Sequence, residues 1–153
     1  LALFNLSIPG QLKCFIDRLG QTMSGYYGIR STRPLKVTGN IVQGAHLYGG
    51  QEIAIANMIL HQILAKCIPV AGDGWESYIG AAGWTGGESK RDAISNLHGE
   101  GDKDTLVTMK AACSVVKRAI ELAAVIKCGG TQMINELKED EHYIPFINRI
   151  EDR

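Results

Sequence analysis

The side chains best equipped for metal or nucleophilic chemistry are not placed to act together. His46, His61, His98 and His142 fall in segments of different type, and Cys14, Cys67, Cys113 and Cys128 lie far apart with no CxxC pair. Protein-bound zinc and iron–sulfur clusters draw on closely spaced ligand pairs, so neither is expected from these residues. The sequence has no GxSxG elbow, no GxxxxGK[ST] phosphate loop and no HExxH, which removes the main support for hydrolase, NTPase and zinc-enzyme readings. No catalytic side chain and no metal ligand is nominated. What remains is a set of loops, Asn5 to Ser7, Gly44 to Glu52 and Gly72 to Gly87, which converge on one edge if the sheet is parallel. That edge suits a flat cofactor carrying its own chemistry.

The elements that must position those loops centre on Val37 to Glu52, VTGNIVQGAHLYGGQE. Val37, Ile41 and Val42 read as a buried strand. Gly49 and Gly50 permit either a plain tight turn or a close approach of backbone to a ligand. Gln51 and Glu52 then open a helix to about Ala65, apolar on nearly every face, which is expected to be covered by the sheet and by another subunit. His61 within it reads as a core or interface histidine.

Before this stretch, Leu1 to Phe4 read as a buried strand. Ser7 is a candidate N-cap and Pro9 suits a first helical turn. Leu12, Phe15, Ile16 and Leu19 form one apolar stripe, Lys13 and Asp17 an exposed i,i+4 pair, and Gly20 the helix end. Gln21 to Lys36, with Tyr26 and Tyr27, reads as a surface loop or as a flap over a ligand.

After it, Cys67 to Val70 reads as the next parallel strand, with Pro69 placing it at an edge. Gly72 to Lys103 holds eight glycines and two tryptophans without sustained period, so a long loop is expected. Its Trp75, Tyr78 and Trp84 either pack on a ligand or cover the sheet. Asp104 reads as the cap of a last helix whose Leu106, Met109, Cys113, Val116 and Ile120 face the sheet, with Gly129 just past its end. From Thr131 a charged run and YIPFI read as a tail, either solvated or docked on a neighbour.

Composition agrees with one domain over 1–153, divided into a core of 1–128 and a tail of 129–153. Apolar residues make up 45% and charged residues 21%. The 18 glycines exceed the usual share of about 7% and imply several special loops. Sixteen basic residues balance sixteen acidic ones, so no general field steers the chain to nucleic acid or to an anionic membrane. No apolar run reaches the ~20 residues that span a bilayer. With buried free thiols, the expected setting is the cytoplasm. Strand–helix alternation argues for an α/β fold with a parallel sheet.

At this point LFNLSIPGQLKCFIDRLG, the GGQE after the central strand, VAGDG and GAAGWTGG carry a family resemblance. Together they resemble the second half of the flavodoxin-like NADPH-dependent FMN reductases, especially the iron–sulfur flavoprotein group. Quinone reductases of the tryptophan-repressor-binding-protein type share the GGQE. The resemblance covers about Leu1 to Lys127. It implies a flavodoxin-like three-layer α/β/α sandwich, noncovalent FMN, NAD(P)H as electron donor, a small-molecule or protein acceptor, and a homo-oligomer, dimer or tetramer. By matching motifs it places Phe4, Asn5, Leu6 and Ser7 along one side of the isoalloxazine. Gly44, Ala45, Gly49 and Gly50 line the other, with Gln51 and Glu52 at the rim.

Two features depart from the family pattern. Ala2 and Phe4 stand where a Pro-x-Tyr is usual. The Ser/Thr-rich phosphate loop and the cysteine cluster that would hold a 4Fe–4S centre are not in this sequence, so such a cluster is expected only if an N-terminal part carries it. The natural polypeptide is accordingly expected to extend N-terminally by roughly half a domain. This portion alone is expected to bind FMN poorly, because the phosphate lacks a helix N-terminus. The resulting expectation is an FMN-binding oxidoreductase; the alternative is a flavodoxin-like assembly module that binds no flavin and catalyses nothing.

Overall fold

The computed structural model describes residues 6–26, 32–88, 90 and 92–152, with backbone alone for 22–26. The strand expected at Leu1 to Phe4 lies outside these residues. Helix α1 spans Gly10–Tyr26, so it passes through Gly20 instead of ending there. A solvent-facing glycine costs a helix about 1 kcal/mol against alanine, which flanking turns can absorb. Leu12 and Ile16 pack on the core, while Phe15 and Leu19 are exposed; half of the expected stripe is left outside.

The central strand is present but interrupted, and of the residues expected to be buried in it Val42 is buried, Val37 half-buried and Ile41 exposed. β1 (Val37–Gly39) and β2 (Ile41–Gly44) are separated by Asn40, a buried residue whose amide exchanges two hydrogen bonds with Gln62 on the next helix, at 3.1 and 2.8 Å. β3 (Ile68–Val70) runs parallel to β1, Thr38 opposite Pro69, and β4 (Ala81–Trp84) runs parallel to β2, Ile41 opposite Ala81. The two pairs are separate two-stranded sheets that follow one another along the segment 37–44, and Ala81 N–H donates to the Asn40 carbonyl between them in sequence. Among the described residues β3 has one neighbour, which is the setting a strand proline tolerates.

β4 lies inside the stretch expected to be a long loop, as does the short helix α3 (Ala93–Gly99). The sequence Ala-Ala-Gly-Trp lacks the β-branched pattern that marks strands. Its small residues serve packing instead: a Cβ on Gly83 would stand 2.5 Å from Thr108 Cγ2 on the last long helix.

Helix α2 (Gln51–Leu64) buries Gln51, Ala54 and Ile55. With Ile8 and Val42 it forms one core cluster, and Ala81 with Ala111 and Val115 forms another. Ala82 packs with the first cluster and its neighbour Ala81 with the second, so consecutive strand residues serve opposite faces. α1 and α2 cover one face and α4 the other. This parallel α/β layering is compatible with a flavodoxin-like sandwich, built among the described residues on four short strands.

α4 (Lys103–Gln132) is capped by Asp102, whose carboxylate accepts from Thr105 N–H at 2.8 Å. The cap lies two residues before the expected Asp104. The buried face is Thr105, Thr108, Ala111 and Val115, not the larger Leu106, Met109, Cys113, Val116 and Ile120, all of which are exposed. Small and β-branched side chains let the helix axis sit close to the glycine-bearing strands, so bulk alone pointed to the wrong face. The cysteines follow: Cys14, Cys113 and Cys128 are exposed and Cys67 is half-buried, against the expectation of buried thiols.

α4 also runs past Gly129 and Gly130. The residues beyond it are not a solvated tail. They form α5 (Ile134–Lys138), a turn, and α6 (Ile144–Glu151), with Phe146 1% exposed. The Phe146 ring occupies the space where Gly130 would carry a Cβ. Arg149 Nη2 donates to Pro34 O at 2.7 Å, and Arg33 Nη1 meets Asp140 at 2.8 Å.

Candidate functional site

Both β2 and β4 point their carboxyl ends toward the same edge. β2 ends at Gly44, and the chain turns through Ala45 to Gly50, where Gly49 N–H donates to His46 O at 3.1 Å. Gly50 adopts a left-handed φ of 92° as it enters α2, a conformation open to glycine at no steric cost. The loop after β4 is tied to this turn by Gly87 N–H donating to Ala45 O at 2.7 Å. Thr85, 1% exposed, closes that loop by bonding to Glu88 O.

Gln51 joins these loops from below. It is 3% exposed, and its Nε2 donates to His46 O at 2.7 Å and to Gly83 O at 3.2 Å, while its Oε1 is buried without a hydrogen-bond partner. A buried amide oxygen left unpaired costs on the order of 1–3 kcal/mol, so such a group calls for a reason.

The expected site residues are distributed as follows. Phe4 and Asn5 lie outside the described residues. Leu6 is brought against Gly50: a Cβ on that glycine would stand 2.6 Å from Leu6 Cα. Ser7 follows, half-buried. Gly44, Gly50 and Gln51 are buried, Ala45 and Gly49 half-buried, and Glu52 exposed. The glycine pair therefore does something other than leave room for a ligand. At Gly50 the space is taken by the Leu6 backbone, and at Gly49 by His46 O and the Gln51 side chain, at 3.0 and 3.2 Å from an added Cβ. Leu6 itself has φ 64°, an uncommon conformation for a non-glycine residue and one that collects at functional loops.

Beside these loops a cleft of about 270 Å³ opens between the first turns of α2 and α4, lined among others by Leu47, Glu52, Trp75, Trp84, Asp104 and Val107. Trp75 is 69% exposed and Trp84 half-buried, so both tryptophans belong to the cleft wall. Tyr78, 77% exposed, neither lines it nor covers the sheet. Trp75 is held by its neighbours. Glu76 Oε1 meets Lys110 Nζ at 2.9 Å, with the carboxylate side chain 2% exposed, and this hydrogen bond holds the Glu76 carboxyl below its ordinary range. Asp73 N–H donates to Ser114 Oγ at 2.8 Å, pinning the same loop to α4 a second time. A larger depression of about 560 Å³ lies along α4, but Ala112, Cys113, Val116, Lys117, Ile120 and Glu121 are all from that one helix, giving it a single wall.

Among the described residues no group of three or more His, Cys, Asp or Glu could hold a metal ion, and no helix is long and apolar enough to cross a membrane.

The chain is similar to an iron–sulfur flavoprotein of Archaeoglobus fulgidus. The two are 29% identical over 119 residues, which is 78% of this chain and 54% of the relative. The match thus spans about half the length of that curated protein. No family model matches the chain, and no solved structure does.

The sequence did not disclose Gln51 as the tie between two loops, nor Gly83 as its acceptor. A glutamine opening a helix is a common surface residue, and its burial follows from β4, whose strand character the sequence hides.

Proposed function

We propose that the protein is a flavin-binding oxidoreductase whose isoalloxazine ring lies at the carboxyl edge of the strands, beside the Leu6–Ser7 and Gly49–Gly50 loops. The observation that carries this reading is the backbone contact of Leu6 with Gly50. Two loops assigned to opposite sides of one ring by family resemblance are neighbours at the edge where parallel α/β sheets take their ligands. Likeness to an iron–sulfur flavoprotein supports the choice of flavin. The residues fit the ring end, but because the Leu6 backbone is packed directly on Gly50, the ring would lie against the joined pair of loops and not between them. They do not fit the phosphate, because the charged groups lining the adjoining cleft are the carboxylates of Glu52 and Asp104.

Bound flavin would supply hydride or electron acceptance, with NAD(P)H as proposed donor and a small molecule or a protein as acceptor. The chain's own part is positional. Gly50 sets the distance between the two loops, and Gln51 fixes both to β4. A 4Fe–4S cluster would need cysteines other than these four, which no local group brings together. We place the protein in the cytoplasm as a homo-oligomer. Ile53, Leu60, Ile63 and Leu64 of α2 are each more than half exposed, an apolar face of the kind that marks association. That face also favours the assembly reading, which differs in binding no flavin.

Titration of FMN against the wild type and Gly50→Val separates the readings. Saturable quenching of flavin fluorescence that weakens in the variant supports the flavin edge. Equal affinity in both proteins contradicts it.

A further inference from the structure

Helix α4 carries a second pattern on its outer side. Leu106, Met109, Cys113, Val116, Ile120 and Ala123 succeed one another at alternating intervals of three and four residues, and all six are exposed. That alternation is the a/d repeat by which two helices wind together, since a mean of about 3.5 residues keeps one apolar seam turned to a partner helix. Packing on the strands uses the inner face of Thr105, Thr108, Ala111 and Val115, so the protomer's own fold does not account for the outer seam.

The single-walled depression along α4 is shaped by the same repeat. Cys113, Val116, Lys117 and Ile120, which line it, stand at positions a, d, e and a, the four that form the hole for a d-position knob of a parallel neighbour. In a second copy of this chain that knob is Val116. Charge placement agrees with a copy in parallel. Lys110 and Lys117 hold the e positions and Thr105, Ala112 and Ala119 the g positions, so parallel pairing lays each lysine stem over a small residue, whereas antiparallel pairing sets Lys110 against Lys117. Both lysines are answered within the chain, Lys110 by Glu76 at 2.9 Å and Lys117 by Glu121 at 3.8 Å, and the seam asks no counter-charge of its partner. Seam and flanks would bury on the order of 600 Å² per protomer, so the pair reaches the lower end of specific interfaces.

We propose that α4 is a self-association surface, on which two copies of the chain pair their α4 helices in parallel with Val116 of each seated in the depression of the other. This surface is independent of flavin binding and of association through α2, which lies on the other face of the strands.

Sedimentation velocity on Leu60→Glu/Leu64→Glu, in which the exposed α2 face is disabled, isolates the α4 contact. This variant dimerises with a dissociation constant of about 10–100 µM, as suits so small an interface, and adding Val116→Glu weakens the dimer about tenfold or more. In chains otherwise unaltered but keeping Cys113 or Cys128 as the sole cysteine, diamide forms the disulfide dimer about tenfold faster through Cys113, which faces its counterpart in the seam, than through Cys128, which is equally exposed but off it. The proposal is overturned by a monomer at several hundred micromolar, or by a dimer that Val116→Glu leaves unchanged, with circular dichroism showing the variants folded. Equal rates through the two cysteines also overturn it, and that comparison decides alone if a glutamate variant does not fold.

Discussion

In two regions of the molecule a glycine admits a neighbour into the space of a missing Cβ, but the neighbours differ in kind. Gly50 admits the backbone of Leu6, and Gly130 admits the ring of Phe146. Around Gly50 the chain is strained and polar, with left-handed residues on both sides of the contact and a buried amide whose oxygen is unpaired. Around Gly130 it is conventional packing, a helix backbone under an aromatic ring with Arg149 stacked 5.5 Å from the ring centre. Backbone against backbone cannot relax without moving a loop, whereas a ring can swing aside. The first arrangement fixes a distance between two loops, and the second buries surface.

Phe146→Ala should produce the largest effect on stability, about 3–5 kcal/mol by denaturant unfolding, as expected for a buried phenylalanine. Flavin affinity should stay within about twofold, because the contact is remote from the loops. A parallel loss of flavin binding would show that the two regions are one cooperative site.

Gly50→Val comes next. Left-handed strain costs about 1–2 kcal/mol and displacement of the Leu6 backbone roughly 1–3 kcal/mol more, and flavin affinity should fall about tenfold or further. Gly130→Ala sharpens the contrast, since its clash is with a side chain. About 1–2 kcal/mol of stability should be lost, with flavin binding unchanged.

Asp102→Ala removes the cap of α4 and should cost about 1 kcal/mol in the same unfolding assay. The acid dependence is graded in the same direction. Hydrogen bonds from the Thr105 backbone and hydroxyl hold the Asp102 carboxyl below its ordinary range, and those from the His142 backbone and ring do so for Asp140. Both groups have folded-state values under their unfolded ones. Their stabilisation is therefore complete above the ordinary carboxylate range and is lost as pH falls through the folded values. Thermal melts from neutral pH downward should show a falling midpoint, less steep in Asp140→Asn.

How much of this was legible depended on which residues did the packing. The Val37–Val42 strand, the Gly-Gly turn and the start of α2 were readable because apolar periodicity and glycine punctuation coincide there. β4 was hidden because Ala81, Ala82 and Gly83 carry no strand signal, and its register exists only through pairing with Ile41–Gly44. The face of α4 was misread because Thr105, Thr108 and Ala111 bury where Leu106, Met109 and Ile120 do not. Gly129 and Gly130 looked like a helix end, and continue as helix because Phe146 covers one of them. Of the candidate site, the loops could be named from sequence, but the approach of Leu6 to Gly50 is a tertiary contact that neither loop announces.

On the proposed function the edge formed by Leu6, Gly50 and Gln51 holds a flavin ring while the described residues offer its phosphate no seat. Parallel fluorescence titrations of riboflavin and FMN against the 153-residue chain test it most directly. Saturable one-to-one binding of both, weak and within about threefold of each other, is the predicted result. No saturable binding of either flavin would contradict the account.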